Sequence, residues 1–217
     1  MDYKTLKTRQ RAERDKYPVN LGVRVHRALS WLNRAEQCED DDARFVFLWI
    51  AFNAAYANEI ADRDRDPEQK VFGQFLKKLV DLDQDEVLYN LIWTEFSKSI
   101  RVLLDNQFVY QPFWDFHNGV LEEGEWKTKF ERAKVAANKA LGAHNTSAVL
   151  SIVLSRMYTL RNQLIHGGAT WNSSVNREQL RDCSAFLGKL VPFIIQLMMD
   201  NPNTLWGDAA YPVVDAP

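Results

Sequence analysis

Apolar residues recur along this chain at helical rather than strand spacing. Leu150, Val153, Met157, Leu160 and Leu164 form one stripe at about 100° per residue. The run from Phe45 to Tyr56, F-V-F-L-W-I-A-F-N-A-A-Y, is apolar almost all round, as in a helix central to a bundle. No run of alternating apolar and polar residues bounded by turn signals stands out as a strand. The pattern predicts helices over 20–37, 43–60, 67–81, 84–105, 122–141, 146–166 and 174–200. Asp66-Pro67-Glu68-Gln69 supplies a capping acid, a first-turn Pro and a Gln at the reciprocal position of a capping box. Asp83-Gln84-Asp85-Glu86 repeats the device one helix later. Pro192 falls inside the last helix and is expected to kink or split it. Residues 1–18 read as an arm, and 201–217, with Pro202, Pro212 and Pro217, as an irregular tail. No internal repeat occurs, so the expectation is one all-α domain over 19–200.

Composition narrows the class. With 217 residues, 46% hydrophobic and 26% charged, the chain can bury a core without staples, which excludes disordered, collagenous and low-complexity readings. Cys38 and Cys183 are its two cysteines, too few for a disulfide scaffold and suited to a reducing compartment. The polar start Met-Asp-Tyr-Lys-Thr-Leu-Lys carries no secretory signal. The longest nearly unbroken apolar run, Phe45 to Phe52, falls well short of the ~18 residues of a membrane span. These features predict a soluble, cytoplasmic protein with no membrane partner. A net charge of −2 and a pI of about 6.1 leave no overall nucleic-acid footprint. The distribution is uneven, however. Residues 1–35 hold nine Lys/Arg against three acids, and residues 36–66 hold three Arg against nine acids. Such a basic stretch either attracts phosphate backbones or lies on the acidic stretch of its own chain or of a partner.

The usual catalytic signatures are missing. There is no Gly-rich phosphate loop and no H-E-x-x-H, and two isolated cysteines cannot make a zinc site, so no metal site and no cofactor are expected. His26, His117 and His144 read as structural or solvated, and the acids at Asp40–Asp42 and Glu122–Glu125 as solvated helix starts. Asn53 interrupts the apolar run around it, either as a satisfied core residue or as support for a polar site next door.

His166 differs in its neighbours, Arg161-Asn162-Gln163-Leu164-Ile165-His166-Gly167-Gly168. A bare Arg-x4–6-His spacing arises by chance about once in such a chain, and an Asn directly after the Arg lowers that to about 0.05. Asn162 and His166, four apart, share a face roughly 160° from the apolar stripe. Their companions there are Ser151, Ser155, Tyr158 and Ile165, a mixed surface of the sort that meets a partner. Arg161 lies between the two faces, and Gly167-Gly168 ends the helix by glycine capping. An imidazole, a guanidinium and an amide together suit a phosphodiester, supplying acid–base chemistry, charge stabilisation and orientation. The simpler reading of the same residues is a surface His with an Arg nearby.

Arg161-Asn162-x-x-x-His166 followed by glycines, near the end of the penultimate long helix, resembles the signature of the HEPN family, Arg, a polar residue, then His. The segments F-V-F-L-W-I-A-F-N-A-A-Y and L-I-H-G-G-A-T-W-N are similar to stretches of stand-alone members. The resemblance covers roughly residues 40–200; the N-terminal arm and 108–141 have no counterpart in it. It implies an up-and-down helical bundle with additional helices, dimerised so that two motifs face each other. In active members this makes a metal-independent endoribonuclease. Carried over by position, Arg161 holds the phosphate, Asn162 orients or polarises, and His166 acts as acid or base, with Asn53, Tyr158 and Gly167 supporting. The implied partners are a second copy, an RNA substrate and, for a toxin or defence effector, a cognate antitoxin protein. The alternative is a non-catalytic HEPN-like dimer that binds a nucleotide or a partner protein.

Overall fold

A computed structural model describes residues 1–56 and 68–207, and every regular element among them is helical. The α-helices are α1 (Tyr3–Glu13), α2 (Val19–Glu36), α3 (Asp41–Tyr56), α4 (Glu68–Leu82) and α5 (Val87–Asn90). They continue with α6 (Ser97–Asp105), α7 (Gln111–His117), α8 (Glu123–Gly142), α9 (Thr146–Ile165) and α10 (Arg177–Asp200). The fold is all-α. The chain separates into two compact units: one contains α1–α3 and the chain from Ser184, the other residues Phe72–Cys183.

In the first unit, α2 and α3 pack along each other. Val25, Ala28 and Leu29 of α2 and Phe45, Leu48 and Phe52 of α3 are buried at 0–1% exposure, the signature of a close-packed interior. Arg24 is buried beside them, and its Nη1 donates to the Ala55 carbonyl at 3.0 Å. Gly188 of α10 allows close approach to α3, since a Cβ there would lie 3.3 Å from Arg44 Nη2 and 3.9 Å from Leu48 Cδ1.

The first eighteen residues are not an arm. Asp2 caps α1 by accepting from the Thr5 N–H at 2.9 Å, and Leu6 and Gln10, one turn apart, are buried. Tyr3 N–H donates to Glu36 at 2.8 Å, and Arg9 reaches Asp200 at 2.6 Å. Of the basic side chains in this stretch, Arg9 pairs with Glu13 and Asp200, neither of which lies in the acidic stretch 36–66.

Several expected boundaries shift for local reasons. Asp66, Pro67 and residues 57–60 lie outside the described residues. The expected helix over 84–105 is broken into α5, a π-helical turn at Leu91–Glu95, and α6. Its start signal acts differently too. Asp83 accepts from the Val87 and Leu88 N–H groups at 3.0 and 2.7 Å, while Glu86 takes a left-handed φ of 54°. Segment 108–121, predicted as nothing regular, holds α7, whose Phe113 clusters with Trp126 and Phe130 of α8. Glu122 and Glu125 form a reciprocal capping box at α8. Pro192 does not split α10. That helix is long and apolar enough to cross a membrane, but 67% of its apolar window is buried inside the fold. The tail begins irregularly, with Trp206 buried and its indole donating to the Asn201 carbonyl at 2.9 Å.

Candidate functional site at the end of α9

The second unit is organised on α9. Asn145 starts it by accepting from the Ala148 N–H at 3.1 Å. Val149, Leu150, Val153, Leu154, Met157 and Leu160 are buried, and Leu164 is half-buried. The opposite side is open: Ser155, Tyr158, Ile165 and His166 are exposed, and Asn162 is half-buried.

Arg161 is half-buried, and Asn162 and Tyr158 hold it. Its Nη1 donates to Asn162 Oδ1 at 2.9 Å, and its guanidinium carbon stands 5.6 Å from the Tyr158 ring centroid. That spacing is a cation–π contact, worth about 0.5–1 kcal/mol at an exposed site. Arg161 Nε is buried without an acceptor among the described residues. The guanidinium is therefore oriented but not neutralised.

His166 is the C-cap of α9, with its backbone N–H on the Asn162 carbonyl at 3.0 Å and its side chain exposed. Among the described residues no hydrogen bond joins it to Arg161. Gly167 takes a left-handed φ of 72°, which terminates the helix. At Gly168 the need is different: a Cβ there would lie 3.3 Å from the Gln163 carbonyl oxygen. Ala169 N–H returns to that same carbonyl at 3.1 Å, and the Gln163 side chain donates to the Phe108 carbonyl. The end of α9 is thus held from two sides. Asn53 is half-buried on α3, in the first unit. Arg161 is brought into contact with both Asn162 and Tyr158, and His166 is exposed on the same side of the helix.

The other histidines are accounted for by their neighbours. His144 Nδ1 lies 2.9 Å from the Tyr89 hydroxyl, His117 packs edge-on to Phe113, and His26 Nδ1 lies 3.4 Å from Lys7 Nζ. Burial pushes the Cys183 thiol far above its usual range, which removes it as a nucleophile. No group of three His, Cys, Asp or Glu residues among those described could hold a metal ion.

Sequence reasoning overlooked Arg156. It is 3% exposed, on the core side of α9, with its guanidinium 4.2 Å from the Tyr110 ring centroid. A signal existed, because Arg156 follows Val153 by three and precedes Leu160 by four, spacings that place it on the apolar face. No family profile, curated protein or solved structure matches the chain.

Proposed function

We propose that this protein is a HEPN-type endoribonuclease, working as a homodimer on RNA without a metal ion. The observation that carries the reading is the Arg161–Asn162 bond at 2.9 Å on an outward helix face that also bears His166. An oriented guanidinium has the planar donor fork that a phosphodiester accepts. In the proposed reaction the ribose 2′-oxygen attacks the adjacent phosphorus and gives up its proton, and the bond to the 5′-oxygen breaks. That oxygen takes a proton, leaving a 2′,3′-cyclic phosphate and a 5′-hydroxyl. Arg161 offsets the charge on the phosphate, Asn162 holds Arg161, and His166 moves a proton as acid or base. Such an enzyme fits a cytoplasmic toxin or defence effector, with an antitoxin protein as a further partner.

A non-catalytic dimer that binds a nucleotide or a protein is the second reading. The missing bond between Arg161 and His166 and the net charge of −2 favour it. RNA cleavage separates the two. Wild type is expected to cut in excess EDTA and leave cyclic phosphate ends, and His166→Ala to be slower by roughly 10²–10⁴-fold. Wild-type rates from His166→Ala establish the binding reading instead. Cleavage that EDTA abolishes and Mg²⁺ restores removes the mechanism.

A further inference from the structure

We propose that Arg156 and Trp126 form a buried receptor for a small oxyanion, phosphate or carboxylate, inside the second unit. Arg156 is 3% exposed, and its Nε and Nη1 find no acceptor among the described residues. Its guanidinium lies 4.2 Å from the Tyr110 ring centroid and 5.5 Å from that of Phe130. Trp126 of α8 is 7% exposed, and its indole N–H also lacks an acceptor. Its ring stands 6.3 Å from the same Phe130 ring. Two buried side chains with unmet donors thus pack against the same phenyl group.

The chemistry of the cluster selects its ligand. Guanidinium and indole N–H groups donate only, so a cation has nothing to bind. A neutral ligand satisfies donors but leaves the buried charge unbalanced, and an uncompensated buried charge is strongly destabilising. An oxyanion meets both needs, because it accepts from several N–H groups and neutralises the guanidinium. Aromatic rings cover faces of the guanidinium but accept none of its in-plane hydrogen bonds. Tyr110 is only half-buried, so the wall over Arg156 borders solvent and gives a small anion an approach.

The test is thermal unfolding of the full chain in chloride, inorganic phosphate and acetate at matched ionic strength. In wild type, phosphate is expected to raise Tm with the logarithm of its concentration above Kd, by roughly 5 °C or more at 100 times Kd. A rise in phosphate alone assigns the site to phosphate, and a rise in acetate as well assigns it to oxyanions in general. Arg156→Met, close in volume, is expected to melt higher than wild type in chloride and to lose the anion response. Trp126→Phe, which keeps the ring and removes the donor, is expected to weaken it. No rise in wild-type Tm over chloride up to about 10 mM of either anion overturns the proposal, whether or not Arg156→Met folds. So does an unchanged response in Arg156→Met. His166→Ala should keep the full response, so this inference and the ribonuclease reading stand or fall separately.

Discussion

His166 ends α9 with its ring exposed, so truncating it opens no core cavity. Thermal denaturation of His166→Ala is expected to stay within about 0.5 kcal/mol of wild type, against a loss of cleavage several orders larger in effect. A mutant that unfolds instead makes His166 structural. Arg161→Lys should retain the charge yet rescue cleavage poorly, because Lys lacks the planar fork that Asn162 and a phosphate both engage. Elsewhere, a single carboxylate gives α1 a pH dependence. Glu13 is held below the usual carboxylate range, chiefly by the Tyr17 hydroxyl donating to it at 2.7 Å and then by Arg9. Its folded pKa is depressed, so the unfolded chain binds more protons in that window. The stability it contributes is present above the unfolded value of about 4.3 and is lost as pH falls through the folded one. Hydrogen exchange of α1 amides, corrected for intrinsic rate, should therefore accelerate below about pH 4. Tyr17→Phe should reduce that acid-specific acceleration, and an α1 whose protection ignores pH would exclude the linkage.

At the scale of elements, α9 ends where it does because Gly167 adopts a φ of 72°. Gly167→Ala should cost about 1 kcal/mol, the penalty of a Cβ in the left-handed region, and should fray the turn that carries Asn162 and His166. Chemical denaturation reads the first effect and cleavage the second; an unchanged midpoint would show that the turn tolerates the side chain. The same helix explains what the sequence made legible. Its core side and its open side follow from residue spacing alone, since twenty residues at a steady 3.6 per turn average out local noise. The broken 84–105 segment was illegible for the converse reason. A π turn at Leu91–Glu95 adds a residue to the turn, and periodicity beyond it slips out of phase. At seven residues, α7 is too short to show a period, and α1 buries only Leu6 and Gln10, so its evidence lies in Asp2 and in partners far along the chain. Arg156 stood in plain view at core spacing. Its burial nevertheless depends on Tyr110 and Phe130, which no local pattern connects to it.

For the whole molecule, the ribonuclease reading requires a second copy, and the open face of α9 is where it should dock. Tyr158 is 37% and Ile165 46% exposed there, and the loop that follows exposes Trp171 at 74%. On the ribonuclease reading, these exposed apolar side chains are what the second copy would cover. A two-fold contact through this face places each copy of Ile165 near the axis or near its symmetry mate, and brings both His166 side chains to one locus. Ile165→Glu tests that geometry. Being exposed, the position tolerates a carboxylate in the isolated chain, so helical circular dichroism and the melting curve of the monomer should hold. Across a two-fold axis the same change sets a charge against apolar partners and against its own copy, which association disfavours by several kcal/mol. Light scattering should then report a dimer for wild type at micromolar concentration and a monomer for Ile165→Glu. Cleavage should fall with the dimer, and wild-type activity per chain should decline on dilution through the dissociation constant. A wild type that is monomeric at high micromolar concentration, or an Ile165→Glu monomer that cleaves at the wild-type rate, would place all the chemistry within one chain and leave Arg161 and His166 unjoined.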